Sequence, residues 1–157
     1  MGLSNSILLR FKEQHKTLAF LLKDLSEEVL HKRPSRAKWS IHENLAHLGR
    51  YQENFEHRLD RTLDNSNPVF GRYKAEKDPG FPQWCSMTAE EVLQKLNQHR
   101  KELIKKLERL TDEQLKLTAV HPRLGQMDLT YWIEFFLLHE THHIYTIFWL
   151  SKAGTLP

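Results

Sequence analysis

Residues 129–152 read LTYWIEFFLLHETHHIYTIFWLSK, and this stretch predicts the last helix of an all-helical fold. Its apolar residues recur every three or four positions, the spacing that places side chains on one face of an α-helix. Asp128 or Thr130 is the expected start and Lys152 the expected end, because Gly154 suits the position just after a helix. The apolar ladder is formed by Leu129, Trp132, Ile133, Phe136, Ile147 and Leu150.

Three further stretches upstream carry the same periodicity. The first runs over residues 4–31 and stops before Pro34. The second begins at Ser40, whose spacing to Glu43 matches a capping box, and continues to about residue 63. The third begins at Thr88 with Glu91 in the same relation. Four amphipathic helices without strands predict an all-α four-helix bundle.

The segment between the second and third helices, residues 64–87, is unusually long for a loop in a small domain. It is rich in proline and also carries four aromatic side chains. We expect a packed cover over the bundle rather than a disordered linker. The aromatic residues are Phe70, Tyr73, Phe81 and Trp84.

Composition indicates a single domain over residues 1–157 that stays in the cytoplasm. The net charge of +3 and the pI of about 9.0 come from basic residues interleaved with acidic ones, so no nucleic-acid surface is expected. Cys85 is the single cysteine, which excludes an internal disulfide. No apolar run reaches the roughly 20 residues that a membrane span needs.

Residues 139–143 spell H-E-x-x-H, the pattern of zinc proteases in which the glutamate is the general base. Such proteases take their third metal ligand from downstream of the motif. Residues 144–157 contain no His, Cys, Asp or Glu. The protease interpretation is therefore excluded, and a third ligand must come from upstream.

The helical spacing sorts the polar residues of this motif. At about 100° per residue, His143 lies about 25° and His139 about 65° from the centre of the apolar stripe. Glu140 also points inward, whereas His142 points to solvent. A pair of hydrogen-bonded core histidines is the structural alternative. Two inward imidazoles beside a carboxylate favour a metal site, since burying several polar groups needs strong compensation.

The residues alone leave the third ligand open. His47 lies at the flank of the second helix's apolar stripe, with Tyr51 one turn further on. His42 and His57 lie nearer the polar face of that helix. His15 and His99 occupy stripe positions on the first and third helices, where core or boundary roles are the usual explanation.

Several of these features together resemble the DinB-like superfamily. Trp39-Ser40-Ile41 is followed by His47-Leu48, and the late His139-x-x-x-His143 completes the pattern. His121-Pro122 with Gly125 before the fourth helix, and Trp132 within it, are also similar to that family. The resemblance covers residues 4–152.

The resemblance implies an up-down-down-up four-helix bundle, often a homodimer, with a divalent metal ion held by His47, His139 and His143. It also implies chemistry on a small molecule. Members include S-transferases that use bacillithiol or mycothiol-type low-molecular-weight thiols, and others described as metal-dependent hydrolases. A non-catalytic metal-binding or stress-response bundle is the alternative.

Three imidazoles suit Zn²⁺ or Ni²⁺, and also Fe²⁺. Glu140, Glu43 and Tyr51 are the candidate catalytic residues, as acid, base or hydrogen-bond donor. For Glu43 the capping box is the competing explanation, and Tyr51 fits a packing role equally well. Cys85 has no flanking motif that would activate its thiol, so we expect a packed loop cysteine.

Overall fold

A computed structural model of the chain describes residues 2–64 and 67–153. The helices are α1 (Asn5–Glu13), α2 (Thr17–Leu22), α3 (Glu27–His31), α4 (Ile41–Leu63), α5 (Phe81–Cys85), α6 (Ala89–Glu108), α7 (Asp112–Leu115) and α8 (Leu129–Ala153). Short 3₁₀ turns lie at Gln14–Lys16 and Ala75–Lys77, and two strands, β1 (Thr118–His121) and β2 (Gly125–Asp128), pair as a hairpin. The predicted all-α bundle is confirmed, with this small hairpin as an addition.

The contacts between helices define the up-down-down-up order. α4 and α6 run parallel, since Glu53 pairs with Lys95 and Asp60 pairs further along with Lys106. Parallel neighbours in sequence require a connection that returns along the bundle, which explains the length of the segment after α4.

The other two directions follow from α8. It is antiparallel to α4, because Asn44 meets His143 while Phe55 meets Phe136. It is parallel to α1, because Arg10 pairs with Glu134 while Gln14, just after α1, donates to Glu140 further along. The first and last helices therefore point one way, and the two middle helices point the other way.

The two middle helices, α4 and α6, begin at the predicted capping boxes. Ser40 Oγ accepts from the backbone N–H of Glu43, and the Glu43 carboxylate accepts from the Ser40 N–H. Thr88 and Glu91 do the same for α6. At α8 the choice between Asp128 and Thr130 falls on Asp128, whose carboxylate accepts from the Tyr131 N–H at 3.0 Å. The suggested role of Gly154 lies outside the described residues.

The first helix is the largest departure from prediction, because residues 4–31 form three segments instead of one. The helix ends at Leu22, and Asp24 adopts a positive φ of 63°. Ser26 then starts α3 by accepting from the Val29 N–H. A serine followed by Glu27 and Glu28 is a helix-start signal in its own right, and it outweighs continuation of the apolar spacing.

The hairpin contradicts the expectation of a strand-free chain. Its strands have four residues each and are joined by a turn at residues 122–124, and Gly125, the first residue of β2, has a positive φ of 76°. Ala119 is fully buried and packs with Phe70 and Trp132. Strands this short carry too few alternating positions to give a periodic signal.

The segment after α4 packs on the bundle as expected. Phe70, Phe81 and Trp84 are buried, and Tyr73 is half-buried. The Trp84 ring lies so close to Gly49 that a Cβ atom at this glycine would stand 2.1 Å from it. No helix among the described residues is long and apolar enough to cross a membrane.

Candidate metal centre

Three histidines from two antiparallel helices meet inside the bundle. His47 projects from α4, and His139 and His143 project from successive turns of α8. Nε2 of His47 lies 3.1 Å from Nε2 of His139. One nitrogen from each of the three rings lies within 4.8 Å of the others, with His47 and His143 buried and His139 partly buried. We refer to this cluster as the histidine triad.

The triad passes a simple test for metal binding. Metal–nitrogen distances of about 2.0–2.1 Å with ligand angles near 90–110° place two ligand nitrogens roughly 2.9–3.4 Å apart. The 3.1 Å separation of the His47 and His139 Nε2 atoms falls in this range. A cation between them would satisfy both lone pairs at once, whereas in its absence one ring must carry a proton on Nε2 and donate it to the other.

Asn44 orients one ring of the triad. Its Nδ2 donates to the Ser40 carbonyl at 2.8 Å, so its Oδ1 faces Nδ1 of His143, also at 2.8 Å. Because Oδ1 can only accept, Nδ1 of His143 must carry the proton. The lone pair of His143 Nε2 is then free for a metal ion. Within residues 2–64 and 67–153, Nδ1 of His47 and of His139 are buried without a hydrogen-bond partner.

All three rings are held in the neutral form that metal ligation requires. Burial is the main cause, and it lowers the pKa of His47 to about 4 and that of His139 to about 3. The pKa of His143 falls to about 2, because burial adds to the neighbouring His47 and His139. At neutral pH the three rings are therefore uncharged, and each can offer a nitrogen lone pair to a metal ion.

Aromatic rings enclose the triad. Trp39 lies 5.0 Å from the His47 ring and stacks on His143, with the ring centroids 6.1 Å apart. Tyr51 lies 3.9 Å from the His139 ring. Tyr73 lies 5.7 Å from His47. Such rings exclude bulk water and leave the nitrogens in an environment of low polarity, which strengthens electrostatic interactions.

One side of the triad borders a surface cavity of about 340 Å³. Trp39, Asn44 and His143 belong to its wall, with Glu76 and His142 at the same opening. His142 is exposed, as its position on the helix predicted. This cavity offers a small molecule a route toward His143.

Of the three candidate catalytic residues, only Tyr51 lies against the triad, and burial raises the pKa of its hydroxyl. Glu43 is the capping-box residue of α4, and its carboxylate also pairs with Arg33. Glu140 is buried and divides its oxygens between Arg100 and Gln14. Neither glutamate shares a hydrogen bond with the triad.

The other histidines lie elsewhere. The His15 ring is buried beside Arg100. His99 pairs with Glu56, and His57 is exposed. The expectation that His42 lies near the polar face is wrong, because this ring is buried and its Nε2 lies 2.8 Å from the Met87 carbonyl. The returning segment before α6 covers a face that spacing on α4 alone marks as exposed.

Sequence reasoning missed Asn44 and Arg100. Asn44 precedes His47 by three residues and so shares its helix face, which is the signal that points to it. Arg100 is buried on α6 and gave no such signal, because a lone arginine in a helix is usually solvated. Cys85 is half-buried, and burial together with Glu43 raises the pKa of its thiol, which agrees with an inert loop cysteine.

Comparisons with known proteins agree with this architecture. The sequence profile of the DinB superfamily matches residues 10–147. The uncharacterized protein YuaE of Bacillus subtilis is 24% identical over 135 residues, which cover 78% of this chain and 83% of YuaE. OB0413 of Oceanobacillus iheyensis, named as a candidate metal-dependent hydrolase, is 26% identical over 120 residues, which cover 76% and 69% of the two chains.

Two solved structures share the fold. YfiT of Bacillus subtilis, described as a probable metal-dependent hydrolase with an unusual four-helix bundle topology, superposes with a TM-score of 0.83 at 18% identity over 99% of this chain and 92% of YfiT. A DinB-like protein of Bacillus subtilis, YjoA, gives a TM-score of 0.64 at 16% identity over 98% and 94% of the two chains.

Proposed function

This chain belongs to the DinB superfamily, and we propose that it is a metal-dependent enzyme, a hydrolase of a small molecule, that holds one divalent ion with His47, His139 and His143. The observation that carries the proposal is the convergence of three neutral imidazole nitrogens within 4.8 Å of one another. The names of OB0413 and YfiT as metal-dependent hydrolases support the same reaction class.

A bound Zn²⁺, Ni²⁺ or Fe²⁺ ion would supply Lewis acidity, which lowers the pKa of a coordinated water or thiol. Residues of the chain would orient the metal ligands and the substrate. Asn44 fixes the tautomer and orientation of His143. Tyr51 keeps its proton because burial raises its pKa, so its hydroxyl can donate a hydrogen bond to a substrate oxygen beside His139.

Metal analysis of purified protein tests this proposal. We expect about one divalent ion per chain in the wild type, and loss of most of it in His47→Ala and in His143→Ala. His57→Ala is the matched control, because His57 is an exposed histidine of the same helix α4 and should leave the metal content unchanged. Full metal content in both triad variants would show that the assignment is wrong.

Thiol-dependent S-transfer is the second candidate reaction, because the same donor set that activates water also binds and deprotonates a thiol. The metal-loaded protein can be assayed with a generic electrophile in the presence and absence of a low-molecular-weight thiol. A rate that depends on the thiol would assign transfer, and ester or amide cleavage without thiol would assign hydrolysis. A metal-loaded protein inactive in both assays would favour a non-catalytic metal-binding bundle.

We also propose a homodimer formed through the exposed face of α8. Tyr131, Leu138, Tyr145 and Trp149 are between 52% and 67% exposed. At 100° per residue they fall, with His142, within an arc of about 60°. Among the exposed residues of α8, no charged side chain occurs between residues 134 and 152. A helix with apolar residues on both faces is usually buried on both faces, here by the bundle on one and by another protein surface on the other.

A second copy fits this face because the face carries no charge that would repel an identical one. The four apolar side chains expose on the order of 500 Å² per copy. Two copies would therefore bury about 1,000 Å², the lower end of specific interfaces, and an identical pair forms a closed two-fold assembly.

Light scattering coupled to size-exclusion chromatography tests the dimer. Leu138→Glu should give a monomer, and mixing it with Leu138→Lys should restore a dimer through opposite charges near the two-fold axis. The control is Phe20→Glu, because Phe20 is 77% exposed but lies on α2. A wild-type monomer at high micromolar concentration, or a dimer that only Phe20→Glu disrupts, would refute this interface.

A further inference from the structure

A second cavity lies beside the triad, on the side of α4 that faces residues 71–79, and its volume is about 390 Å³. Its ionisable lining is strongly basic, with five cationic side chains and one carboxylate. The carboxylate of Asp78 accepts two hydrogen bonds from Nε of Arg50, at 2.9 and 3.0 Å. The remaining cations therefore have no acidic partner in the cavity wall. These cations are Arg58, Arg72, Lys74 and Lys77.

Arg58 is the informative member of this group, because it is only 7% exposed. Among the described residues it forms no ion pair, and its guanidinium donates one hydrogen bond, from Nη2 to the Gly71 carbonyl at 3.1 Å. The guanidinium otherwise lies over the rings of Phe70 and Trp132, 5.3 and 5.7 Å from their centroids. A buried charge without a counter-charge is costly, so proteins rarely keep one without a use.

Tyr73 connects this cavity with the triad. It is part of the cavity wall, and its buried hydroxyl lies beside the Asp78 carboxylate. Burial and the nearby Asp78 carboxylate raise the pKa of the hydroxyl, so it stays a donor. Its ring lies 5.7 Å from the His47 ring and 5.1 Å from Tyr51. The Tyr73 ring would thus separate a ligand in the cavity from His47.

We propose that this cavity binds the carboxylate or phosphate group of a small anionic substrate, with Arg58 as its main ligand. The planar guanidinium matches such groups with paired hydrogen bonds. Arg72, Lys74 and Lys77 are exposed at the rim and would attract the anion. Placing the anion here as part of the substrate rests on the proposed metal-dependent function; anion binding itself does not.

Calorimetric titration of the metal-free full chain with inorganic phosphate, and separately with malonate, tests the site at constant ionic strength. We expect saturable binding of one anion per chain, and the stronger of the two probes identifies the group. Arg58→Gln should weaken binding about 10-fold or more. Arg72→Gln should weaken it by a smaller factor, and Arg36→Gln, an exposed arginine outside the cavity, should leave it unchanged.

Thermal unfolding separates a binding role of Arg58 from a structural one. If the role of Arg58 is to bind an anion, Arg58→Met in anion-free buffer should unfold at the wild-type temperature or above. Addition of the anion should then raise the unfolding temperature of the wild type only. A variant that unfolds well below the wild type, together with a wild type that gains nothing from either anion, would overturn the proposal. Metal-free protein keeps this result independent of the triad, whose failure would appear only in the metal analysis.

Discussion

Replacing Asn44 by alanine tests the proposed metal centre through a residue that would not contact the metal. The substitution removes the 2.8 Å hydrogen bond to Nδ1 of His143 and leaves that ring free to rotate or to change tautomer. Loss of such a positioning residue typically weakens metal binding 10–100-fold, or about 1.4–2.7 kcal/mol. Asn44→Asp keeps an acceptor at the same place, and its negative charge strengthens the bond to Nδ1–H, which offsets the lost donation from Nδ2 to the Ser40 carbonyl. Its affinity should therefore equal or exceed that of the wild type.

Competition with a chromophoric chelator measures these affinities at pH 7.5. Asn97→Ala is the control, because Asn97 lies on α6 and borders other surface grooves. The order expected is Asn44→Asp at or above the wild type, Asn97→Ala equal to it, and Asn44→Ala below it by one to two orders of magnitude. Wild-type affinity in Asn44→Ala, or equal losses in the alanine and aspartate variants, would refute the argument from the tautomer.

Three stability predictions follow from the buried polar and packed residues. Glu140→Gln leaves the Arg100 guanidinium buried without its counter-charge, and urea unfolding should show a loss of about 3–5 kcal/mol; unchanged stability would leave room for a catalytic Glu140. Gly49→Ala drives a methyl group into the Trp84 ring, so calorimetry should show a loss of about 1–3 kcal/mol, and a neutral result would mean that the ring can move. His15 has a pKa lowered to about 3 by burial and by Arg100, so below pH 6.5 the unfolded chain takes up a proton that the folded chain refuses until about pH 3. The free energy of unfolding should therefore fall by about 1.4 kcal/mol from this residue between pH 7.5 and 5.5, and His15→Gln should fall by that much less.

Much of the fold follows from local signals in the chain. Capping boxes predict the starts of α4 and α6, and the apolar spacing predicts α8, so these three helices begin where the sequence predicts. The prediction of one continuous first helix was wrong because Ser26 starts a new helix, although the apolar spacing continues past it. The hairpin was not predicted because strands of four residues are too short to show an alternation of apolar and polar residues.

The histidine triad was likewise predictable only in part from local sequence. Its two α8 members follow from a four-residue spacing on one helix face. The choice of His47 over the four other candidate histidines came only from the family resemblance. The structure places His47, and none of those four, beside the α8 pair.

What the sequence determined by itself is therefore the three long helices α4, α6 and α8 and the apolar stripe of each, since both depend on residues within a few turns of one another. Only the tertiary structure decided what meets across the bundle. His47 and His139 are 92 residues apart, and the antiparallel packing of α4 on α8 brings their nitrogens to 3.1 Å. The same packing decides that Asn44 orients a ring, that Glu140 pairs with Arg100, and that Arg58 is buried with no carboxylate partner among the described residues. Helical spacing gives the direction of a side chain, but only the neighbouring element decides whether that direction leads to solvent, to a partner or to a ligand.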